Sequence, residues 1–293
     1  MSSTGTAGLD GLITPRPDET THRPDPTWES AVVAEHELIG GRYHRLVLHA
    51  PEIAATALAG QFVMVTVPES TGSRILLPRP MAIHRRRVAT GIIELIYNVV
   101  GRGTAALTGL TSGDRVVVTG PLGRGFEIPT GARRALLIGR GIGVCAVMGV
   151  AEDAAPSGVH VTAVLSANAR QSVIGENDCA ELGVDAVAVS DDEGTSSVGA
   201  LAGLLRERFE TDRPDVIMVC GSNRLTRLAA ELAAEWGSAV QVSLEAHMAC
   251  GLGYCHGCAA PVAGAANEEG PLVCVDGPVF DVIVDRGEGE VAA

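Results

Sequence analysis

The sequence predicts a small antiparallel β-barrel, then a parallel α/β sheet, then a C-terminal cysteine-bearing loop. Three observations carry this reading. Six short β-rich runs separated by Gly and Pro lie between Trp28 and about Pro129. After Gly131 apolar strands alternate with helical stretches. Four of the seven cysteines fall within 25 residues near the C-terminus. A length of 293 residues exceeds one typical domain and suffices for two with proper cores.

Residues 1–27 pass through Pro15, Pro17, Pro24 and Pro26 among Ser, Thr, Asp and Gly. That composition buries too little apolar surface to offset the entropy of ordering, so a flexible tail is expected. Over residues 28–130 the runs Ala31 to Val33, Tyr43 to Leu48, Phe62 to Val67, Met81 to His84, Ile92 to Tyr97 and Arg115 to Thr119 supply six barrel strands. Residues 131–244 follow a βαβ rhythm. Its strands are Ala135 to Ile138, Val159 to Leu165, Ala186 to Val189, Val216 to Cys220 and Val240 to Leu244, with helices over Leu201 to Phe209 and Arg224 to Trp236. Residues 245–293 form the cysteine segment.

The net charge of -13 and 46% hydrophobic content fit a soluble globular protein and argue against nucleic acid or an anionic membrane as partner. All 22 cations are arginine, which reads as the codon bias of a GC-rich genome rather than a functional choice. The first 27 residues hold no signal-peptide core, and no run approaches the roughly 18 apolar residues that a membrane span needs. The expected location is the cytoplasm. An odd cysteine count without an export signal points to ligands, not disulfides.

Cys250, Cys255 and Cys258 reproduce C-x4-C-x2-C, and Cys274 follows after fifteen residues. This is the spacing of plant-type [2Fe–2S] loops. Thiolates suit iron, and Gly251, Gly253 and Gly257 allow a tight wrap that aims backbone N–H groups at sulfur. Four-cysteine zinc sites usually pair two C-x2-C turns, and Cys274 lacks a nearby mate. His247 and His256 would suggest a Rieske centre, but four cysteines already complete the shell, so both are expected to be loop or surface residues. Cys145 and Cys179 read as ordinary partly buried thiols.

The stretch Ala135 to Gly143 is a strand running through Gly139, Gly141 and Gly143 into a helix, an arrangement that lets N–H groups approach a pyrophosphate. Val144 stands where a full dinucleotide fingerprint has its third glycine. No acidic residue ends the second strand at Leu165 to take a ribose; Ser166 and Arg170 follow instead and permit a 2′-phosphate. A close-packed strand–helix turn without ligand explains the same residues.

One ordered set of motifs is more specific. Arg79-Pro80-Met81-Ala82-Ile83, Ile96-Tyr97-Asn98 with Gly103-Thr104, Gly120 to Phe126, the Gly139 turn, Cys220-Gly221-Ser222 and the cysteine loop through Asp276-Gly277-Pro278-Val279-Phe280 occur in sequence. Over residues 30 to 285 this order resembles the electron-transfer subunit of class 1B dihydroorotate dehydrogenase, in the ferredoxin-reductase superfamily.

The resemblance implies a six-stranded FAD-binding barrel, an NAD(H)- or NADP(H)-binding parallel-sheet domain and a C-terminal [2Fe–2S] domain. FAD would be held by Arg79, Pro80, Met81, Ala82, Ile96, Tyr97, Asn98, Gly103 and Thr104. Arg79 offers a fork for pyrophosphate, or else caps a barrel end; Gly103 allows close approach; Thr104 is expected to begin a helix. Tyr97 is either a flavin contact or a barrel-core aromatic. Gly139, Gly141, Gly143 and Gly221 would serve the dinucleotide, with Cys220 beside the nicotinamide as the candidate catalytic residue or simply a buried strand-end thiol. Ala82 replaces a small hydroxyl residue of the family pattern and Asn98 a basic one; Arg140 replaces a glycine, Cys145-Ala146 a common proline, and Ser222 the proline of Cys-Gly-Pro.

The implied activity is an oxidoreductase subunit relaying electrons between NAD(H), FAD, the cluster and an FMN-containing catalytic partner in a hetero-oligomer of pyrimidine biosynthesis. A reductase for a different oxidoreductase is the first alternative. A non-catalytic redox sensor or zinc-stabilised interaction module is the second, motivated by Arg140, Cys145 and Ser222.

Overall fold

The structure, a computed structural model, describes residue 9 and residues 12–16, 24–68, 75–260 and 269–285. The chain begins with β1 (Ile13–Thr14), followed by β2 (Thr27–Ile39), β3 (Tyr43–His49), α1 (Pro51–Thr56), β4 (Phe62–Val65), β5 (Arg79–Arg87), β6 (Ile92–Asn98), α2 (Arg102–Leu107) and β7 (Arg115–Leu122). Then come β8 (Arg134–Arg140), α3 (Val144–Ser157), β9 (His160–Ala167), α4 (Glu176–Leu182), β10 (Asp185–Ser190), α5 (Val198–Arg208), β11 (Val216–Cys220), α6 (Asn223–Trp236), β12 (Ala239–Ser243) and β13 (Val279–Val282).

Six antiparallel strands close a barrel in the order β2-β3-β6-β5-β4-β7, as the sequence predicts. Closure pairs every strand on both sides and leaves no open edge. Leu46, Leu48, Val63, Val65, Ile93, Leu95 and Val118 are buried in its interior, and α1 adds Ile53 and Ala54.

The second sheet has the order β1-β13-β12-β11-β8-β9-β10, with β12, β11, β8, β9 and β10 parallel. Strands buried on both faces read as continuous apolar runs, and alternate residues serve opposite layers. Leu136 and Ile138 of β8 and Ile217 and Val219 of β11 join the core beneath α5 and α6. Ala135, Leu137, Val216, Met218 and Cys220 join the core beneath α3. Helix α6 buries Leu225, Leu228, Ala229, Leu232 and Ala233, an apolar stripe at helical spacing. It stops at Gly237, whose φ of 78° is the left-handed cap that glycine adopts at low cost.

The amino-terminal segment departs from the expected tail. β1 pairs antiparallel with β13, Leu9 is buried in the core, and Arg16 is buried against Asp281 at 3.1 Å and the Gly125 carbonyl at 3.0 Å. The open edge of β13 offers the backbone partners, and the core the apolar burial, that composition alone does not reveal. Residues 1–8, 10, 11 and 17–23 lie outside the described residues. The cysteine segment likewise ends as a strand of the second sheet, because β13 pairs antiparallel with β12.

Helix α3 lies across β5. Arg85 is buried among Glu152 at 2.8 Å, Asp178 at 3.1 Å and Glu181 at 2.8 Å. Burial raises the Asp178 carboxyl, but the neighbouring His84 and Arg85 outweigh it and hold the group well below its ordinary range. Among the described residues, no helix is long and apolar enough to cross a membrane.

Candidate functional site

A cleft of about 460 Å³ lies between the barrel and the C-terminal edge of the parallel strands, a size typical of small-molecule sites. Its barrel wall comprises Arg79, Pro80, Met81 and Ala82 of β5, Ile96, Tyr97 and Asn98 of β6, Phe62 of β4 and Thr104 of α2. The sheet side supplies Gly143, Ala146, Cys220 and the segment Ser243 to Met248. Strand pairing explains the convergence: β5 lies between β4 and β6, so residues distant in sequence form one wall.

Arg79 donates to the carbonyls of Leu77 at 3.1 Å and Pro78 at 3.2 Å. No carboxylate among the described residues pairs with it, which leaves its charge for an anion. Gly103 lies directly under the guanidinium: a Cβ there would sit 2.6 Å from Cζ. This cradle fits a pyrophosphate held by a fork of N–H donors. Thr104 does not begin a helix, because α2 starts at Arg102. The Thr104 hydroxyl instead accepts the N–H groups of Val100 at 3.0 Å and Gly101 at 3.2 Å, shaping the turn beside Arg79.

Tyr97 lines the cleft and also packs in the barrel core. The Leu110 carbonyl, 2.8 Å from His36 Nδ1, can only accept, so in neutral His36 Nε2 accepts the Tyr97 hydroxyl at 3.0 Å. Burial raises the Tyr97 phenol far above its ordinary value and keeps it neutral.

Gly143 lines the cleft, but Gly139, Gly141 and Gly221 do not. Gly143 and Gly221 let the turns after β8 and β11 interlock, whereas Gly139 packs within its own turn and a Cβ on Gly141, at φ 55°, would meet only the Tyr43 hydroxyl. A Cβ on Gly143 would lie 2.6 Å from the Cys220 carbonyl, and one on Gly139 2.6 Å from Val144 Cα. Gly221, at φ 95°, packs against the Arg140 carbonyl. Cys220 is buried at the end of β11 and faces the cleft beside Ser243; burial pushes its thiol far up, so it stays protonated. Glu245 opens onto the cleft, yet the surrounding protein raises its carboxyl. Glu245 does not stand out in the sequence, whereas His247, expected there as a loop or surface residue, is an exposed loop residue that also lines the cleft. Their placement just beyond the C-terminal end of β12, where ligands collect in parallel sheets, is the signal that could have found Glu245.

The cysteines stand as two pairs. Burial raises the Cys250 thiol, but the N–H groups of Leu252, Cys255 and Tyr254 together with the Cys255 thiol bring it down to about 7. Burial and the adjacent Cys258 push Cys274 up to about 12, against the Gly253 N–H, which donates to its sulfur at 3.2 Å. Among the described residues no three His, Cys, Asp or Glu converge on a single ion position. Zinc needs four ligands around one point; the pairs Cys250 with Cys255 and Cys258 with Cys274 would instead suit a two-iron cluster, one thiolate pair for each iron. The donor set fits a two-iron cluster, and iron would deprotonate all four thiols. Gly251 at φ 71° and Gly253 at φ 79° make the wrap. Gly257 does not need its freedom; the positive φ falls at His256, whose ring meets Glu269 at 2.7 Å.

The loop rests on the barrel. A Cβ on Gly251 would lie 2.6 Å from Met64 Cγ. Cys258 and Cys274 share one apolar core with Phe62 and Met64, and Phe62 lines the cleft.

Residues 245–283 match the iron–sulfur cluster binding domain of dihydroorotate dehydrogenase B. The chain is 30% identical over 253 residues to the dihydroorotate dehydrogenase B (NAD(+)) electron transfer subunit of Desulforamulus reducens, covering 86% of this chain and 95% of that one. The corresponding subunits of Geobacillus thermodenitrificans and Bacillus caldolyticus are 34% and 35% identical, each over 86% of this chain and 96% of theirs. Among solved structures, the NADH-dependent reduced ferredoxin-NADP oxidoreductase superposes with a TM-score of 0.72 at 24% identity, covering 88% of this chain and 91% of that chain. Phthalate dioxygenase reductase superposes with a TM-score of 0.54 at 17% identity, over 71% and 65%. These two likenesses concern the fold.

Proposed function

The chain belongs to the family of electron-transfer subunits of dihydroorotate dehydrogenase B, and from that premise we propose that it relays electrons between NAD(H) and a flavin-containing catalytic subunit. FAD would exchange hydride with the nicotinamide and single electrons with the cluster, joining two-electron to one-electron chemistry. The partner is the subunit that oxidises dihydroorotate, and the work belongs to pyrimidine biosynthesis. A cytoplasmic location belongs to the same proposal, because free thiols persist in a reducing compartment.

The chain's own residues divide the work. Arg79 over Gly103 holds the FAD pyrophosphate, while Pro80 to Ala82 and Ile96 to Asn98 seat the flavin against the barrel. Ala82 and Asn98 lack the hydroxyl and the cation of the family pattern, so orientation falls to backbone groups and packing. The interlocked turns at Gly143 and Gly221 bring Cys220 and Glu245 to the nicotinamide side. Cys220 presents a neutral thiol, which excludes water without adding charge. Cys250 with Cys255 and Cys258 with Cys274 hold the cluster.

The observation that carries this reading is the shared core of Phe62, Met64, Cys258 and Cys274, which joins the cleft wall to the cysteine loop without intervening solvent. Anaerobic purification, then assays of iron, sulfide, zinc and flavin with spectra before and after NADH, tests it. About two irons, two sulfides and one FAD per chain, bleaching with NADH, are expected. Zinc without flavin would overturn it.

A further inference from the structure

Arg140 is the residue by which this chain departs most from a plain glycine turn. It ends β8, immediately before the turn into α3, and reaches sideways along the sheet edge. Its guanidinium donates to Ser166 Oγ at 2.9 Å, at the end of β9, and to both Asp191 oxygens at 3.3 and 2.6 Å, just past β10. Asp191 is further fixed by the Ser196 hydroxyl and by its own N–H on the Ala167 carbonyl at 3.1 Å. Three parallel strands thus end in one polar cluster.

Where a bound dinucleotide lies follows from the topology. The strand order reverses between β8 and β11, and extended nucleotides cross the sheet edge at such a point. The cleft facing the barrel is lined from the β11–β12 side by Cys220 and Ser243 onward, so the nicotinamide half occupies that side. The adenosine half then runs the other way, over β9 and β10, onto Ser166 and Asp191.

The chemistry there is that of a discriminator. An arginine fork beside the phosphate-binding turn would accept a 2′-phosphate. Here Asp191 neutralises it. Nearby, Arg170 is tied to Glu176 by two bonds of 2.7 Å, its N–H donates to Asp192 at 3.1 Å, and Glu193 takes the Ser190 hydroxyl at 2.9 Å. Arg140, Arg170 and Arg224, whose charge also reaches Asp191, face Asp191, Asp192, Glu176 and Glu193. Three cations against four carboxylates leave an acidic edge that repels a phosphate dianion. The Asp191 side chain is 47% exposed, and a carboxylate has about four acceptor positions. Arg140 and Ser196 take three of them, so one remains for a ribose hydroxyl.

We propose that Asp191, by occupying Arg140 and accepting from the adenosine ribose, selects NAD(H) over NADP(H), and that removing its carboxylate turns Arg140 into a 2′-phosphate site. This rests on the nicotinamide-binding reading above. The usual acidic selector ends the second strand; here the third strand supplies it, across Arg140.

The test is calorimetric titration of the flavin-loaded protein with NAD+ and NADP+, which bind without reducing the flavin. Wild type should bind NAD+ about tenfold or more tightly. Asp191→Asn should gain NADP+ affinity by a similar factor, and Asp191→Asn with Arg140→Gln should lose that gain. Flavin content reports that each variant is folded. Preference of the wild type for NADP+, or an unchanged ratio in Asp191→Asn with flavin retained, overturns the selector alone. Failure of wild type to bind either nucleotide overturns the nicotinamide reading and the selector with it.

Discussion

The backbone N–H of Gly253 donates to the sulfur of Cys274 at 3.2 Å, joining chain positions 21 residues apart. The geometry depends on glycine twice over: φ is 79°, and a Cβ would lie 2.6 Å from Val275 Cγ2. N–H donation to ligating sulfur stabilises the thiolate. Gly253→Ala is therefore expected to lose iron faster than wild type under a chelator while keeping its flavin. Equal rates of iron loss would remove the role assigned to this bond.

Cys255→Ser should abolish the iron–sulfur absorbance and leave most of the FAD in place. Cys255 is the exposed member of its pair, and the cleft residues around Arg79 and Tyr97 belong to other elements. Loss of flavin in step with iron would mean that the loop and the cleft form one cooperative unit through Met64.

Gly103→Ala should weaken FAD binding by about tenfold or more with little change in melting temperature of the apoprotein. The new methyl displaces the Arg79 guanidinium, while α2 tolerates alanine readily. Flavin retention after dialysis checks this, and unaltered retention would take Arg79 out of the phosphate site.

Asp178→Asn should destabilise the contact between barrel and sheet by roughly 1–2 kcal/mol at pH 7, because Arg85 and His84 lose a carboxylate partner while Glu152 and Glu181 still pair Arg85. The folded carboxyl is held below its unfolded value of about 4. Its contribution is therefore present above that pH and fades as the pH falls through it toward the folded value. Urea denaturation at pH 7 and near pH 3.5 should show a gap between variant and wild type that narrows in acid. A constant gap would assign the effect to packing instead.

The legible parts of this protein are those with local signals. Gly and Pro punctuation with short β-branched runs marks the six barrel strands, and the shift to longer apolar strands and helices marks the parallel sheet. C-x4-C-x2-C names its own chemistry because a tight loop must present sulfurs at fixed spacing. Less legible was how glycines act. Gly143 and Gly221 look like ligand contacts in the sequence, and the structure adds that they let two turns interlock; Thr104 looks like a helix start although it braces the turn at the start of α2.

By itself the sequence determined the barrel, the doubly covered sheet and the four cysteines, since periodicity and spacing are properties of neighbouring residues. Only the tertiary structure decided that Leu9, Ile13 and Arg16 leave the expected tail to cover β13. Only it brought Glu245 to the cleft, placed Met64 between cleft and cysteine loop, and set Asp191 against Arg140 across three strand ends. Those relations depend on strand order and packing between distant segments, where long-range partners outweigh local propensity.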